Sequence, residues 1–318
     1  MLRCIYNFAI ISSMAKCGNR LFVKQSRQGI GVLFLALIVF FCVHPRCASA
    51  FRTIQLDQDR VRIMVKPGTT YTGRIEVKNP SDEPRQVKAY LQDWVYSDDQ
   101  GSKEILPLGS KATSCANWIS IVPQEFTVPA FGKRAINYSV SIPSDAHGGY
   151  YAVLFCESSL GSVEAQELQN ESTAAVVPIS VRIGFLFFVE IKDTATRDVA
   201  IENFAIEKTG TGYAMSINYQ NIGTVDIKAN GTFNIMDQRG VVCARGRFDD
   251  NYSLPGDHAL LRSRWSNALD KGTYDVVVTL DLGRSLEDYG LGRGPIKVKE
   301  GVLEIGENGE VVQVQGLR

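Results

Sequence analysis

Few residues of this chain could carry out catalytic or metal chemistry. Beyond residue 50 the histidines are His147 and His258, and neither has a second histidine or a cysteine at metal-ligand spacing. Gly290-Leu-Gly292-Arg-Gly294 does not join a strand to a helix as a phosphate loop does, so we interpret it as a turn. Asp98-Asp99-Gln100-Gly101 lacks the spaced ligands of a calcium loop and fits a hairpin turn. The sequence therefore predicts a non-enzymatic protein with no metal and no cofactor.

The first fifty residues look like an export signal. They contain six basic residues and no acidic residue, and the apolar stretch 30–43 is followed by Ala48-Ser49-Ala50. This pattern predicts a cleavable signal peptide over residues 1–50, and hence a periplasmic or secreted protein of the cell envelope. An uncleaved anchor is the competing interpretation, although about fourteen apolar residues are short for a membrane span. No later segment is long and apolar enough to cross a bilayer, so we expect no stable span after cleavage.

The charge and the length of the chain limit the functions that it could have. The whole chain has 34 basic and 34 acidic residues, and loss of the six basic residues of the leader leaves 28 against 34. A mildly acidic protein without a basic stripe is not expected to bind nucleic acid. The 268 residues that follow the leader fit two domains of ordinary size, each able to bury its own core.

Three cysteines follow the leader, namely Cys115, Cys156 and Cys243. Cys115 and Cys156 fall in the same predicted domain and could form a disulfide in an oxidising compartment. The alternative is that all three are buried thiols that behave as small hydrophobic side chains.

Nearly every readable segment after the leader has the pattern of a β-strand. Short alternating or apolar runs are separated by turn signals such as Pro67-Gly68, Pro255-Gly256 and Asn308-Gly309, and there is no convincing amphipathic helix. The acidic segment Glu157 to Thr173 is predicted to be a long loop with one helical turn. We therefore predict an all-β chain of two immunoglobulin-like β-sandwich domains in tandem, residues 51–192 and residues 193–318.

The run from Ala174 to Ile191 is the most informative segment of the chain. Its odd-numbered positions from Val177 to Val189 are all apolar, which predicts a long strand with one continuous apolar face. Pro178 favours an edge position, because proline in a central strand would remove a ladder hydrogen bond. From Gly184 onward both faces are apolar, which indicates burial on both sides. The first half could close the core of its own domain or could pair with another polypeptide.

Several segments of the first domain form a recognisable set. They are Leu56-Asp57-Gln58-Asp59-Arg60 with the apolar strand that follows, Gly68, the strand 73–78 ending in Asn79, and the strand 88–96 with Trp94. In these residues the domain resembles the first domain of periplasmic pilus-assembly chaperones of the PapD type. This resemblance implies two immunoglobulin-like sandwiches and a strand lent to an incomplete subunit. In the second domain the resemblance is only architectural.

The resemblance also implies a partner-binding site. Arg60 matches an arginine that anchors the carboxyl terminus of the subunit, and alternating residues of the lent strand correspond to Ala175, Val177, Ile179 and Val181. The lysine that completes the anchor in the family is replaced here by Gly184, for which Arg182 is the nearest substitute.

Two functions of different classes follow. The first is a chaperone-like exported protein that binds a secreted, pilin-like subunit by β-strand addition. The second is a structural or adhesive envelope protein that binds a surface protein or a cell-wall component. A carbohydrate-binding module would need exposed tryptophans, whereas Trp94, Trp118 and Trp265 are predicted to lie in sandwich cores.

Overall fold

The computed structural model describes residues 53–98, 100–165, 175–291 and 294–317, without the side chains of 162–165 and 175–177. The predicted signal peptide, residues 1–50, lies outside these residues. Within them, no helix is long and apolar enough to span a bilayer. The described part of the chain is all-β, and its two sandwiches confirm the predicted fold class.

Two antiparallel-rich sheets form the first sandwich. One sheet has the strand order β1-β3-β8-β6, and the other has the order β2-β10-β9-β4-β5, with β7 also paired to β4. A 3₁₀ turn, Ala116–Trp118, precedes β6. The strands are β1 (Gln55–Leu56), β2 (Arg60–Val65), β3 (Thr70–Lys78), β4 (Arg85–Tyr96), β5 (Lys103–Leu106), β6 (Ile119–Val122), β7 (Glu125–Val128), β8 (Lys133–Ser141), β9 (Gly149–Ala165) and β10 (Ala175–Ile191).

Alternation of side chains across the pleat builds the first core. Residues at every second position of β3, β8 and β10 point between the sheets, and they include the fully buried Val77, Ile136, Val140, Phe185 and Phe187. Each large apolar side chain removed from water in this way contributes about 1.5–3 kcal/mol. This core fixes the orientation of β10, the strand that the sequence singles out.

The second sandwich is also built from two sheets that pack around a core. Their strand orders are β11-β12-β15 and β14-β13-β16-β17-β18, and the short helix α1, Arg284–Glu287, follows β16. Tyr219, Phe233 and Val276 lie in its core. The strands are β11 (Val199–Thr209), β12 (Gly212–Asn221), β13 (Ile227–Asp237), β14 (Val242–Ser253), β15 (His258–Trp265), β16 (Gly272–Asp281), β17 (Ile296–Ile305) and β18 (Val311–Gln315).

One predicted loop is wrong in part. The acidic segment that begins at Glu157 was expected to be a loop with one helical turn, but β9 continues through it to Ala165. Its backbone pairs there with β10, which satisfies the main-chain groups although the side chains are polar. The remainder of the segment, residues 166–174, lies outside the described residues.

Candidate functional site

β10 has one open edge. On one side it pairs with β9 along its whole length, but on the other side it pairs with β2 only from Leu186 to Ile191. Within the described part of the chain, the second side of residues 175–185 has no strand partner. We call this stretch the open edge. An unpaired strand edge presents a row of N–H and C=O groups that another chain can pair with.

The hydrogen bonds of β10 establish which main-chain groups face the open edge. The amide of Leu186 donates to the carbonyl of Asp59 at 2.9 Å, on the β2 side, whereas the amide of Ile191 donates to Gly148 on the β9 side. Main-chain groups alternate along a strand, so the amides of Ser180, Arg182 and Gly184 face the open edge. Pro178 is also even-numbered, so the position of its missing N–H faces the open edge. Proline therefore costs no hydrogen bond of the ladder with β9.

Side-chain burial divides β10 as the sequence predicts. Phe185, Phe187, Phe188 and Val189 are buried, which confirms that the second half is enclosed on both faces. In the first half Ile179 and Val181 are half-buried, and Val181 packs against the core of its own sandwich. The side chains of Ala175 and Val177 lie outside the described residues, so a role for them in binding stays a prediction.

Gly184 has a packing explanation. A β-carbon at this position would lie 3.1 Å from Val153 Cγ2 and 3.2 Å from Phe155 Cε1. The guanidinium of Arg182, which belongs to the same face of β10, lies 4.3 Å from the centre of the Phe155 ring. Phe155 thus takes the space in which a longer residue 184 would lie, and Arg182 covers that ring.

A hydrogen-bonded group lies on the same sheet face beside the open edge. The Glu157 carboxylate accepts hydrogen bonds from Tyr90 at 2.8 Å and from Ser180 at 3.1 Å. These bonds, the one from Tyr90 first, hold the pKa of Glu157 below its ordinary value. Glu157 therefore keeps a negative charge on this face down to lower pH than an isolated glutamate would.

Arg60 lies where the open edge ends. It is the first residue of β2 and stands opposite Leu186, one position beyond the open edge. Its guanidinium donates to Asp59 Oδ2 from Nε at 3.1 Å and from Nη2 at 2.8 Å, and the side chain is 45% exposed. The bond from Arg60 lowers the pKa of Asp59. Arg60 is thus reachable from solvent, but it already has a carboxylate partner.

A second cation lies near Arg60, and the sequence pattern does not predict it. Burial, and then repulsion by Arg60, lower the pKa of Lys103. Lys103 lies on β5, a strand that the sequence pattern did not reveal, and its ammonium lies 5.6 Å from the centre of the Tyr96 ring. Only the pairing of β5 with β4 brings this residue toward the start of β2, and no local signal could have found it.

A buried cluster of four charged residues connects the two sandwiches. Arg62 donates to both carboxylate oxygens of Asp226, at 2.9 and 2.5 Å, and to Glu190 at 3.2 Å. Arg197 also donates to both oxygens of Glu190, at 3.3 and 2.5 Å. Every one of these side chains is at most 7% exposed. We call this set the charge cluster.

Arg62 is the centre of the charge cluster. Its guanidinium lies between the rings of Phe188, at 5.0 Å, and Tyr289, at 5.3 Å. Burial lowers its pKa, but attraction to Asp226 and then to Glu190 outweighs burial and raises the pKa above its ordinary value. Arg62 therefore stays charged, and it contacts the first sandwich through Glu190 and the second through Asp226. A clue was present in the sequence, since Glu190 is a lone charge within an apolar strand and needs a partner.

Comparison with known proteins gives similarities of fold. No family model matches the sequence, and no curated protein sequence matches it. The class 5 fimbriae chaperone CfaA is 10% identical with a TM-score of 0.44, covering 78% of this chain and 98% of that chain. The SafB chaperone, in complex with the Salmonella enterica SafA pilin, is 13% identical with a TM-score of 0.36, covering 79% and 97%.

A third similar structure is the chaperone–tip subunit pre-assembly complex CsuC–CsuE from the archaic chaperone–usher Csu pili of Acinetobacter baumannii. It is 8% identical with a TM-score of 0.39, covering 77% of this chain and 97% of that chain. These similar structures are fimbrial chaperones. They are proteins of the kind that the sequence resembles. At these TM-scores the likeness assigns no role to any residue of this chain.

Cys115 and Cys156 fit the second of the two interpretations, whereas Cys243 is only half-buried. Cys115 and Cys156 are buried free thiols, so the disulfide considered between them is not formed in this structure. Burial raises the pKa of both thiols, that of Cys156 to about 12. Each packs in the first core as a small apolar side chain.

We expect these thiols to be unreactive in the native protein. Since thiolates are the reactive form, native Cys115 and Cys156 should resist iodoacetamide at neutral pH, while the half-buried Cys243 is alkylated. All three should react in denaturant. Peptide mass spectrometry reads each site, and a native Cys115–Cys156 disulfide would instead leave two cysteines unlabelled even in denaturant without reductant.

The tryptophans lie in or against the two cores. Trp94 and Trp265 are buried, and Trp118 is half-buried with its ring 4.2 Å from that of Tyr150. None of the three therefore forms an exposed platform for a sugar ring. Among the described residues, no group of three or more His, Cys, Asp or Glu side chains is placed to hold a metal ion.

Proposed function

We propose that this protein is an exported, chaperone-like binding protein of the cell envelope that pairs its open edge with a strand of a secreted partner subunit. The observation that carries the proposal is the one-sided pairing of β10 between Ala175 and Phe185. Main-chain hydrogen bonds would supply affinity, and side chains on alternate positions would supply selectivity. Among the residues whose side chains the structure describes, Ile179 and Val181 are the ones predicted to contact the partner strand.

We propose that the partner strand runs parallel to β10, as β2 does. β2 pairs with the second side of β10 from Leu186 onward. A partner strand that runs in the same direction along the open edge would end beside Asp59 and Arg60. We propose that its terminal carboxylate binds Arg60, with Lys103 as the second cation, because a guanidinium and a carboxylate form strong charge-assisted hydrogen bonds. Asp59 competes for the same guanidinium and must give way.

Cross-linking tests the open edge. Ser180 is exposed and its amide faces the open edge, so a photoactivatable phenylalanine analogue at this position should cross-link a second envelope protein in the native host. The matched control is the same substitution at Glu207, which is exposed on β11 of the second sandwich. Identical adducts at both positions, or none at position 180, would contradict strand addition.

The carboxylate anchor has its own test, which uses a peptide of the carboxyl-terminal strand of that partner. Arg60→Ala should weaken binding of the free-acid peptide by about tenfold or more, as expected when a hydrogen bond to a charged group worth about 1.5–3 kcal/mol is lost. Asp59→Asn should strengthen binding, since it releases Arg60. Titration calorimetry with the amidated peptide is the control, because Arg60→Ala should hardly change its affinity.

Gly184 favours a second candidate function. Because the lysine of the resembled family is replaced at this position, and Arg60 is held by Asp59, the same sandwiches could serve a structural or adhesive envelope protein. Adducts at Ser180 with a cell-wall polymer or a repetitive surface protein, rather than with a small subunit, would support that function.

A further inference from the structure

The first half of β17 has an inverted pattern of side chains. In a sandwich, apolar residues point to the core and polar residues to solvent. Ile296 and Val298 point outward and are 54% and 56% exposed, whereas Lys297 and Lys299 share the inner side with the core residues Leu280 and Val278 opposite them. A shift of register by one residue would turn Ile296 and Val298 inward and the two lysines outward. The observed register therefore leaves apolar side chains on an outward face.

The outward apolar side chains of β17 continue across the five-stranded sheet. Register places Val298 beside Thr279, and Val277 between Asn234 and Glu300. A shallow hollow with a volume of about 350 Å³ lies in this face, and Met236, Val277 and Val302 are among the residues that line it. We call this surface of β14, β13, β16, β17 and β18 the outer sheet face.

Charge on the outer sheet face is divided between its two sides. Arg245 and Arg247 are exposed on β14 at one side, and Glu300 and Glu304 are exposed on β17 toward the other. Neither Arg245 nor Glu300 has an ion-pair partner within the described part of the chain. β14 also carries the exposed Asp249, and β16 carries the exposed Asp275. The face therefore has a net positive charge on the β14 side, is acidic toward the other side and is partly apolar between them.

We propose that the outer sheet face is the interface of a homodimer in which two copies pack sheet against sheet. A two-fold axis that runs parallel to the strands, between β13 and β16, reverses the order of the strands in the second copy. Arg245, Asn234, Val277 and Glu300 form one row across the sheet. The axis therefore places Arg245 of each copy opposite Glu300 of the other. Such an interface is self-complementary, as two-fold symmetry requires, and facing sheets pack about 10 Å apart.

The size of the face predicts a weak dimer. The four strands that face each other about this axis, β14, β13, β16 and β17, are about 4.8 Å apart and roughly eight residues long, and they give about 500 Å² per copy, or about 1,000 Å² in total. This is the lower end of specific interfaces, for which dissociation constants in the micromolar to millimolar range are expected. The open edge belongs to the other sandwich, so this dimer does not depend on the proposed function.

Sedimentation velocity on the purified full-length protein tests the dimer. From about 1 µM to about 1 mM, the weight-average mass should rise toward that of two copies, and less so at high salt, which screens exposed charges. Glu300→Arg and Arg245→Glu should each raise the dissociation constant by about tenfold or more. The double variant, in which the charges are exchanged, should restore it.

Controls separate this interface from other self-association. Glu207→Arg changes an equal charge on the opposite sheet of the same sandwich and should leave the dimer intact. A monomer at every concentration would overturn the proposal. So would a dimer that survives both single reversals, or one that is lost on altering Ser180 at the open edge and not Glu300. Circular dichroism of each variant checks that loss of the dimer is not loss of the fold.

Discussion

Replacement of Glu190 by glutamine is expected to lower the free energy of unfolding by about 3–5 kcal/mol, the usual cost of breaking a buried ion pair by removing one partner. Glu190 accepts hydrogen bonds from both Arg62 and Arg197. Glutamine has nearly the same shape but no charge, and one end of its amide donates instead of accepting. Two guanidinium groups would remain buried with one carboxylate, that of Asp226, to balance them.

Urea denaturation followed by tryptophan fluorescence measures this effect. Trp94 lies in the first sandwich and Trp265 in the second, so the two can report separate transitions if the variant uncouples the sandwiches. The control is Asp59→Asn, which removes an exposed ion pair to Arg60 and should cost less than about 1 kcal/mol. If Glu190→Gln were as mild as Asp59→Asn, the charge cluster would not stabilise the arrangement of the sandwiches.

The alternation of side chains was sufficient to predict the fold. Odd-numbered residues of β10 from Val181 to Ile191 and alternate residues of β13 and β16 point inward as the pattern predicts, because a one-residue slip would expose the whole apolar set. The strands that escaped prediction are short or mixed in pattern. β5 and β7 have four residues each. β15 contains Leu260 and Leu261 side by side, and this pair interrupts the alternation of apolar and polar residues.

The candidate site was predictable only in part. Pro178 and the change of pattern at Gly184 divide β10 correctly, since both are properties of the strand itself. The charge cluster is not a local property, because Arg62 and Asp226 are 164 residues apart and meet only when two sandwiches are in place. Lys103 near Arg60 and the outer sheet face likewise depend on strand register, which one sequence does not reveal.

Replacement of Arg182 by proline is expected to weaken partner binding by about 10- to 100-fold. The amide of residue 182 faces the open edge, three residues before its end, and proline removes this donor. A carbonyl of the partner strand would then be buried without a hydrogen bond, which costs about 1–3 kcal/mol. The fold should tolerate the change, because proline is accepted on edge strands where no ladder bond is lost. Titration of the partner that cross-links at position 180 gives the change in affinity.

Two matched variants make this result specific to the main chain. Arg182→Ala removes the same guanidinium, which lies over Phe155, but keeps the amide, and it should bind far better than the proline variant. Ile183→Pro places proline one residue on, where the amide faces β9 and the residue pairs with Cys156, so it should destabilise the protein itself. Equal affinities for Arg182→Pro and Arg182→Ala would mean that the partner contacts this face through side chains alone. Strand addition at the open edge would then be excluded, because a strand paired there cannot avoid the amide of residue 182.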